Sequence, residues 1–220
     1  RHTRYISVTG VQTCALPISF DIIDSSKIHD LEFEGKSVRA LILKEFSEIV
    51  IKHGGYRESH SGDSAYAHFG MIDGNVRHVE SAMAVASEFR TFLRNFGIKS
   101  GIAIECGIGL HVAKGAKIHV HKAEFITPAG KITQKSFDSS SPDVDLVHRM
   151  EKLAHRLPGS NVIVSEQFHL ALGLTNVGMM DLGEFELKGQ KEKCRLFLKA
   201  SDRVKPEDLE ALKTNLVTSA

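Results

Sequence analysis

The 220-residue chain is 42% hydrophobic and 25% charged with a net charge of +1, which is enough apolar material for one large soluble domain or two small ones. That balance gives no electrostatic footprint for nucleic acid or an anionic membrane surface, and no apolar run reaches the length of a transmembrane helix. The three cysteines, Cys14, Cys106 and Cys194, have no CxxC spacing, which argues against a disulfide framework or zinc knuckle and fits a reducing cytoplasm.

Val8 to Ser19 reads like the translation of a sequencing-library adaptor, so residues 1–19 are expected to be an artefactual leader plus the start of strand one. A signal peptide, the rival reading given Arg1 and Arg4, lacks a continuous apolar run of the required length. Ser19 to Ile23 predicts a short apolar strand. Lys36 to His53 carries Val38, Leu41, Leu43, Phe46, Ile49 and Val50 at helical spacing and stops at Gly54-Gly55. Tyr56 to Gly70 alternates as two strands around a tight turn at Ser61-Gly62-Asp63. Val76 to Phe96 predicts a second amphipathic helix closed by Gly97, and Ile102 to Val112 with Ala116 to Ile126 a long hairpin. Asp143 to Leu157 predicts a third helix, Asn161 to Ser165 a strand, Glu166 to Leu172 a short helix, and Met179 to Lys199 a last hairpin. The tail, residues 201–220, carries an exposed helix over Pro206 to Val217 with Leu209, Leu212 and Leu216 on one side. No repeat, low-complexity stretch or linker divides the chain. The order predicts an α+β fold with a ferredoxin-like (palm) βαββαβ core and extra C-terminal strands and helices.

Two aspartates fall where a strand gives way to a turn: Asp21, in Phe20-Asp21-Ile22-Ile23-Asp24, and Asp63, in Ser61-Gly62-Asp63. On neighbouring strands they would hold a pair of divalent cations about 3.5–4 Å apart, the arrangement used for in-line phosphoryl transfer. Either one alone is an ordinary turn residue, and Asp24 reads as a solvated one. His119 and His121 share one strand face, a zinc-compatible geometry, but without a further ligand they read as exposed hairpin residues. His60 is a nucleotide contact or a surface turn residue.

Further motifs follow in order. They are Gly107-Ile108-Gly109-Leu110-His111, then Phe137-Asp138 to Asp143-Val144-Asp145-Leu146-Val147-His148-Arg149-Met150, then Leu182-Gly183 and Leu187-Lys188-Gly189. With the two aspartate motifs, this series resembles the catalytic domain of class III adenylate and guanylate cyclases over residues 20–200. The resemblance implies a cytoplasmic nucleotidyl cyclase that makes 3′,5′-cyclic AMP and pyrophosphate from ATP, acting as a head-to-tail homodimer; the charge and the apolar runs add the expectation of no nucleic-acid partner and no membrane segment in this chain. It implies two Mg²⁺ or Mn²⁺ ions per site, bound by Asp21, Asp63 and the carbonyl of Ile22. It also implies Arg149 as the transition-state arginine, Asp145 at the ribose-contacting position, Lys188 on the phosphates, and Asp138 with Ser59 at the base. Ionised Asp138 offers only acceptors, which suits the adenine amino group.

Three positions depart from the pattern: Ser59 in place of Lys or Glu, Asp145 in place of Asn, and Ala113 in place of Gly. They leave two alternatives standing, a guanylate cyclase and a catalytically decayed nucleotide-binding or interaction module. A diguanylate cyclase is disfavoured because Ser61-Gly62-Asp63-Ser64 lacks a GGDEF core.

Overall fold

Alternation along one strand divides the molecule into two sides. In β2 (Leu16–Ile22), Leu16, Ile18, Phe20 and Ile22 point into one core while Ser19 and Asp21 point to the opposite face. A computed structural model describes residues 6–11, 16–58, 62–70, 77–113, 117–127, 130–173, 178–188, 190 and 192–217; for 6–11, 117–127, 130–140 and 215–217 only the backbone is described.

The elements run β1 (Ile6–Val11), β2, a 3₁₀ turn (Ser25–Ile28), β3 (Glu32–Phe33), β4 (Lys36–Ser37), α1 (Val38–Lys52), β5 (Tyr56–Arg57) and β6 (Ser64–Phe69). Next come α2 (His78–Ser100), β7 (Cys106–Leu110), β8 (Lys117–Thr127), β9 (Gly130–Ser140) and α3 (Pro142–Ala154). The chain continues through β10 (Asn161–Ser165), α4 (Glu166–Leu172), β11 (Met180–Phe185), β12 (Cys194–Lys199) and α5 (Pro206–Val217). The main sheet has the order β11-β12-β10-β7-β2-β6-β5. Its β7-β2-β6-β5 part, with α1 and α2 as connections, is the predicted ferredoxin-like core.

Helices α1, α2 and α4 cover one face of the sheet. Val38, Ile42, Phe46, Ile49 and Val50 form the buried stripe of α1, and the rings of Phe20, Phe46 and Phe89 pack with centroids 4.4–5.1 Å apart. The other face is covered by α3, whose start is fixed by Ser141 as N-cap, Pro142 in the first turn, and Asp143 and Asp145 near the positive end of the helix dipole. On that face, a Cβ at Gly107 would lie 2.5 Å from the Glu151 carbonyl oxygen, and one at Gly109 would lie 2.3 Å from the Val147 carbonyl oxygen. Only glycine at both positions lets the helix approach this closely.

Several expectations are corrected. β2 begins at Leu16 rather than near Ser19, because Leu16 and Ile18 continue the buried alternation of Phe20 and Ile22. Gly97 does not close α2; the helix runs on to Ser100 and ends at Gly101, which adopts φ 72° and donates its N–H to the Gly97 carbonyl. The expected hairpin between the segment around β7 and Ala116 to Ile126 is not formed. β7 is paired on both edges, with β2 and β10, so β8 pairs instead with β9 and with β1. α5 is present where predicted but is not a free helix, because Leu212 is buried and Leu209 packs against the α3-side core.

Adding a methyl at Gly109 should force α3 off the sheet. Gly109→Ala should lower stability by about 1–3 kcal/mol in urea unfolding, the range for an overpacked core. Gly97→Ala, whose added Cβ would meet nothing closer than 3.5 Å, should instead stabilise the fold by about 0.5–1 kcal/mol.

Candidate active site

Asp21 lies at the end of the central strand, opposite Ser64 of β6 on one side and Gly107 of β7 on the other. Asp63, immediately before Ser64, therefore sits beside that strand end. The two are close enough that Asp63 helps raise the Asp21 pKa. Burial makes the largest contribution to that rise, to about 6, followed by the charges of Glu151 and Asp63; His155 opposes it. Oδ1 of Asp21 is buried and has no hydrogen-bond partner among the described residues. Ile22 is buried at the same strand end.

The close approach of α3 adds two residues that the sequence reading missed. Glu151 is buried, yet its Oε1 has no partner among the described residues, while its Oε2 accepts from the Ser19 hydroxyl at 2.8 Å. Because that hydroxyl gives its only proton to the carboxylate, the contact from His148 Nδ1 at 2.9 Å must be donated by the imidazole. His155 Nε2 is 2.9 Å from the Asp21 carbonyl oxygen, an acceptor only, so that nitrogen carries a proton. The same Nε2 is 3.8 Å from Asp21 Oδ2 and 3.9 Å from Glu151 Oε1. Asp21, Glu151 and His155 thus present three potential metal-ligand atoms within 4.8 Å of one another. Two sequence signals pointed to this: the spacing of 148, 151 and 155 along one helix face, and Gly107-x-Gly109 on the strand beneath it.

The remaining expected residues are more dispersed. Arg149 is half-buried, with a buried Nε that has no partner among the described residues, and Asp145 is exposed. At roughly 100° per residue, both lie more than a quarter turn from Glu151, on the side of α3 away from the carboxylate cluster. Lys188 is exposed in the turn after β11, near the α3 N-terminus, where Gln190 donates to the Pro142 carbonyl. Asp138 lies in β9 opposite His119 of β8, so His119 and His121 fall in a hairpin with β9 rather than in the expected one with the 102–112 segment, and their side chains lie outside what the structure describes. The Asp138 side chain, Ser59 and His60 lie outside what the structure describes. Asp24 adopts φ 55°, a conformation that favours glycine, and its exposed carboxylate pairs with Lys27. Glu58, which was not singled out from the sequence, shares the α3-side face with Tyr66; its Oε1 is 3.0 Å from His68 Nε2, without hydrogen-bond alignment.

Residues 18–200 match the family described as the adenylate and guanylate cyclase catalytic domain, and the chain belongs to that family. Its fold is similar to the guanylate cyclase domain of RhGC from Catenaria anguillulae, solved with GTP, at 18% identity and a TM-score of 0.64, covering 86% of this chain and 97% of that one. It is also similar to the adenylyl cyclase CyaB from P. aeruginosa, at 17% identity and a TM-score of 0.63, covering 93% and all of that chain. A third similar structure is the non-canonical dimeric guanylyl cyclase domain of RhoGC from Blastocladiella emersonii, at 16% identity and a TM-score of 0.64, covering 86% and 97%. No curated protein sequence matches the chain. The family defines a nucleotidyl cyclase domain and leaves adenine and guanine nucleotides open.

Because the fold holds Asp21 above its ordinary pKa of 3.8, at about 6, the metal-free folded state binds a proton more readily than the unfolded chain. Its stability should therefore fall as pH rises from about 4 to 6. In EDTA at pH 7, Asp21→Asn should raise Tm by about 2–4 °C, the shift expected for about 1 kcal/mol after discounting for solvent screening. The gain should disappear at pH 4, where the aspartate is itself protonated. Scanning calorimetry at both pH values checks this.

Proposed function

We propose that the chain converts ATP to 3′,5′-cyclic AMP and pyrophosphate in a cytoplasmic head-to-tail homodimer, with residues 20–200 as the catalytic unit. The observation that supports this most is the proximity of the Asp21 and Asp63 carboxylates at one strand end, where a buried oxygen of Asp21 lacks a partner among the described residues. Such an oxygen fits a divalent cation, and Asp21, Asp63 and the Ile22 carbonyl would hold the two Mg²⁺ or Mn²⁺ ions. When bound, those ions supply activation of the ribose hydroxyl and neutralisation of the triphosphate.

In the reaction the 3′-oxygen attacks the α-phosphorus, its proton leaves to solvent, and the bond to pyrophosphate breaks. Arg149 presents a planar fork of donors to the charge that builds on the phosphoryl oxygens. Its position on the far side of α3 from Glu151 suits it to the site of a second copy rather than its own. Asp145 shares that side and would meet the ribose, Lys188 the phosphates, and Asp138 with Ser59 the base.

GTP is the second reading, favoured by Glu58. A carboxylate on the α3-side face, five residues before Asp63, can accept both N–H groups of guanine's ring edge. Incubating the purified chain with ATP or GTP and either Mn²⁺ or Mg²⁺ should yield cyclic AMP as the main product. Cyclic GTP-derived product alone would transfer the assignment to guanine, and no cyclic product with any pair would leave the nucleotide-binding module.

The dimer reading has its own test. Asp63→Asn and Arg149→Ala chains, each inactive alone, should recover activity when mixed, because a heterodimer regains one complete site. Continued inactivity despite demonstrated subunit exchange would exclude a site shared between copies.

A further inference from the structure

We infer that Asp21, Glu151 and His155 form a cation site within a single chain, of a class that takes a first-row divalent transition ion such as Mn²⁺ in preference to Mg²⁺. The inference rests on the reading of Asp21 as a metal ligand and goes beyond it by drawing ligands from α3. Its central observation is Glu151: the residue is 2% exposed, and Oε1 is buried toward Asp21 and His155 without a partner among the described residues. An unpaired buried carboxylate oxygen is costly, and a cation satisfies it directly.

The three ligand atoms lie within 4.8 Å of one another, and the two separations from the imidazole are those of ligands to one ion. Two atoms each about 2.0–2.2 Å from a common ion lie no more than about 4.4 Å apart. The separations of 3.8 Å and 3.9 Å from His155 Nε2 to the two carboxylates fall inside that limit. The Asp21 carbonyl, 2.9 Å from Nε2, matches the spacing of about 3 Å between adjacent ligands of a six-coordinate ion. Glu151 is also oriented from behind, since Ser19 holds Oε2 and His148 holds Ser19, the outer arrangement that fixes metal-ligating groups.

Binding requires Nε2 to give up the proton it now donates to the Asp21 carbonyl. As the metal–nitrogen bond forms that proton leaves to solvent and Nδ1 takes one up from solvent, so the ring binds as the neutral Nδ1–H tautomer and the carbonyl is freed as a further oxygen donor. The imidazole sets the selectivity: Mg²⁺ prefers oxygen ligands and retained waters, whereas a nitrogen among carboxylates favours first-row transition ions, of which Mn²⁺ is the weakest binder and a paramagnetic probe.

The test uses the metal-free full chain without nucleotide, titrated with Mn²⁺ while the free ion is followed by electron paramagnetic resonance. One ion should bind per chain, and Glu151→Gln and His155→Gln should each weaken it about tenfold or more. Bound Mn²⁺ in the unmodified chain should show nitrogen modulation in electron spin-echo spectra, a readout that survives if either variant fails to fold. Absence of nitrogen modulation overturns the site. Wild-type affinity in both variants overturns it too, and if Asp21→Asn then still abolishes binding, the Asp21 reading stands without α3. Nitrogen-coordinated Mn²⁺ in a chain that makes no cyclic nucleotide supports the site while refuting the cyclase reading.

Discussion

The contact between α3 and the two glycines of β7 is the constraint on which the polar side of the molecule depends. At Gly107 and Gly109 the helix backbone comes so near the strand that no side chain fits between them. Only that approach carries Glu151 to Ser19 and His155 to the backbone of Asp21. A buried carboxylate would ordinarily oppose such packing. Here Ser19, backed by His148, satisfies one of its oxygens, and the apolar contacts of Val147, Met150, Leu153 and Ala154 hold the helix in place. The strain of burying charge is thus concentrated on one oxygen of Glu151 and one of Asp21.

The core was legible because its signals are local. Alternation in β6 and the helical stripe of α1 each specify an element from its own residues. The errors arose where partner choice or tertiary packing decides. The length and alternation of β8 cannot reveal that both edges of β7 are already occupied, and Gly97 resembles a stop until Gly101 supplies the left-handed residue that ends α2. Leu212 read as exposed because a short helix shows its neighbours only after folding.

The site divides along the same line. The proximity of Asp21 and Asp63 was legible because each sits at a strand-to-turn boundary, and antiparallel register then brings the boundaries together. Glu151 and His155 were not, since Glu and His on an amphipathic helix usually face water. Their burial follows from two missing side chains on a different element, a cue that becomes readable only when strand and helix are considered together. Asp24 shows the converse: the unusual residue at a position that favours glycine is explained by its left-handed backbone and its Lys27 partner, with no role for it in the cluster.

α3 is consequently a two-sided element. One side faces the sheet and gathers three carboxylates, Asp21, Asp63 and Glu151, around a strand end where, among the described residues, His155 is the basic group beside them. The other side carries Arg149, whose cationic group has a buried nitrogen still without a partner among the described residues. The carboxylates on one face and the Arg149 guanidinium, with its one buried unpartnered nitrogen among the described residues, lie on opposite sides of the helix and do not pair with each other. A cation on the first side and an anion on the second would satisfy them. On the proposed reading, a metal–triphosphate complex held between two copies of the chain would carry both, and the helix that completes the acidic cluster would also serve the neighbouring site.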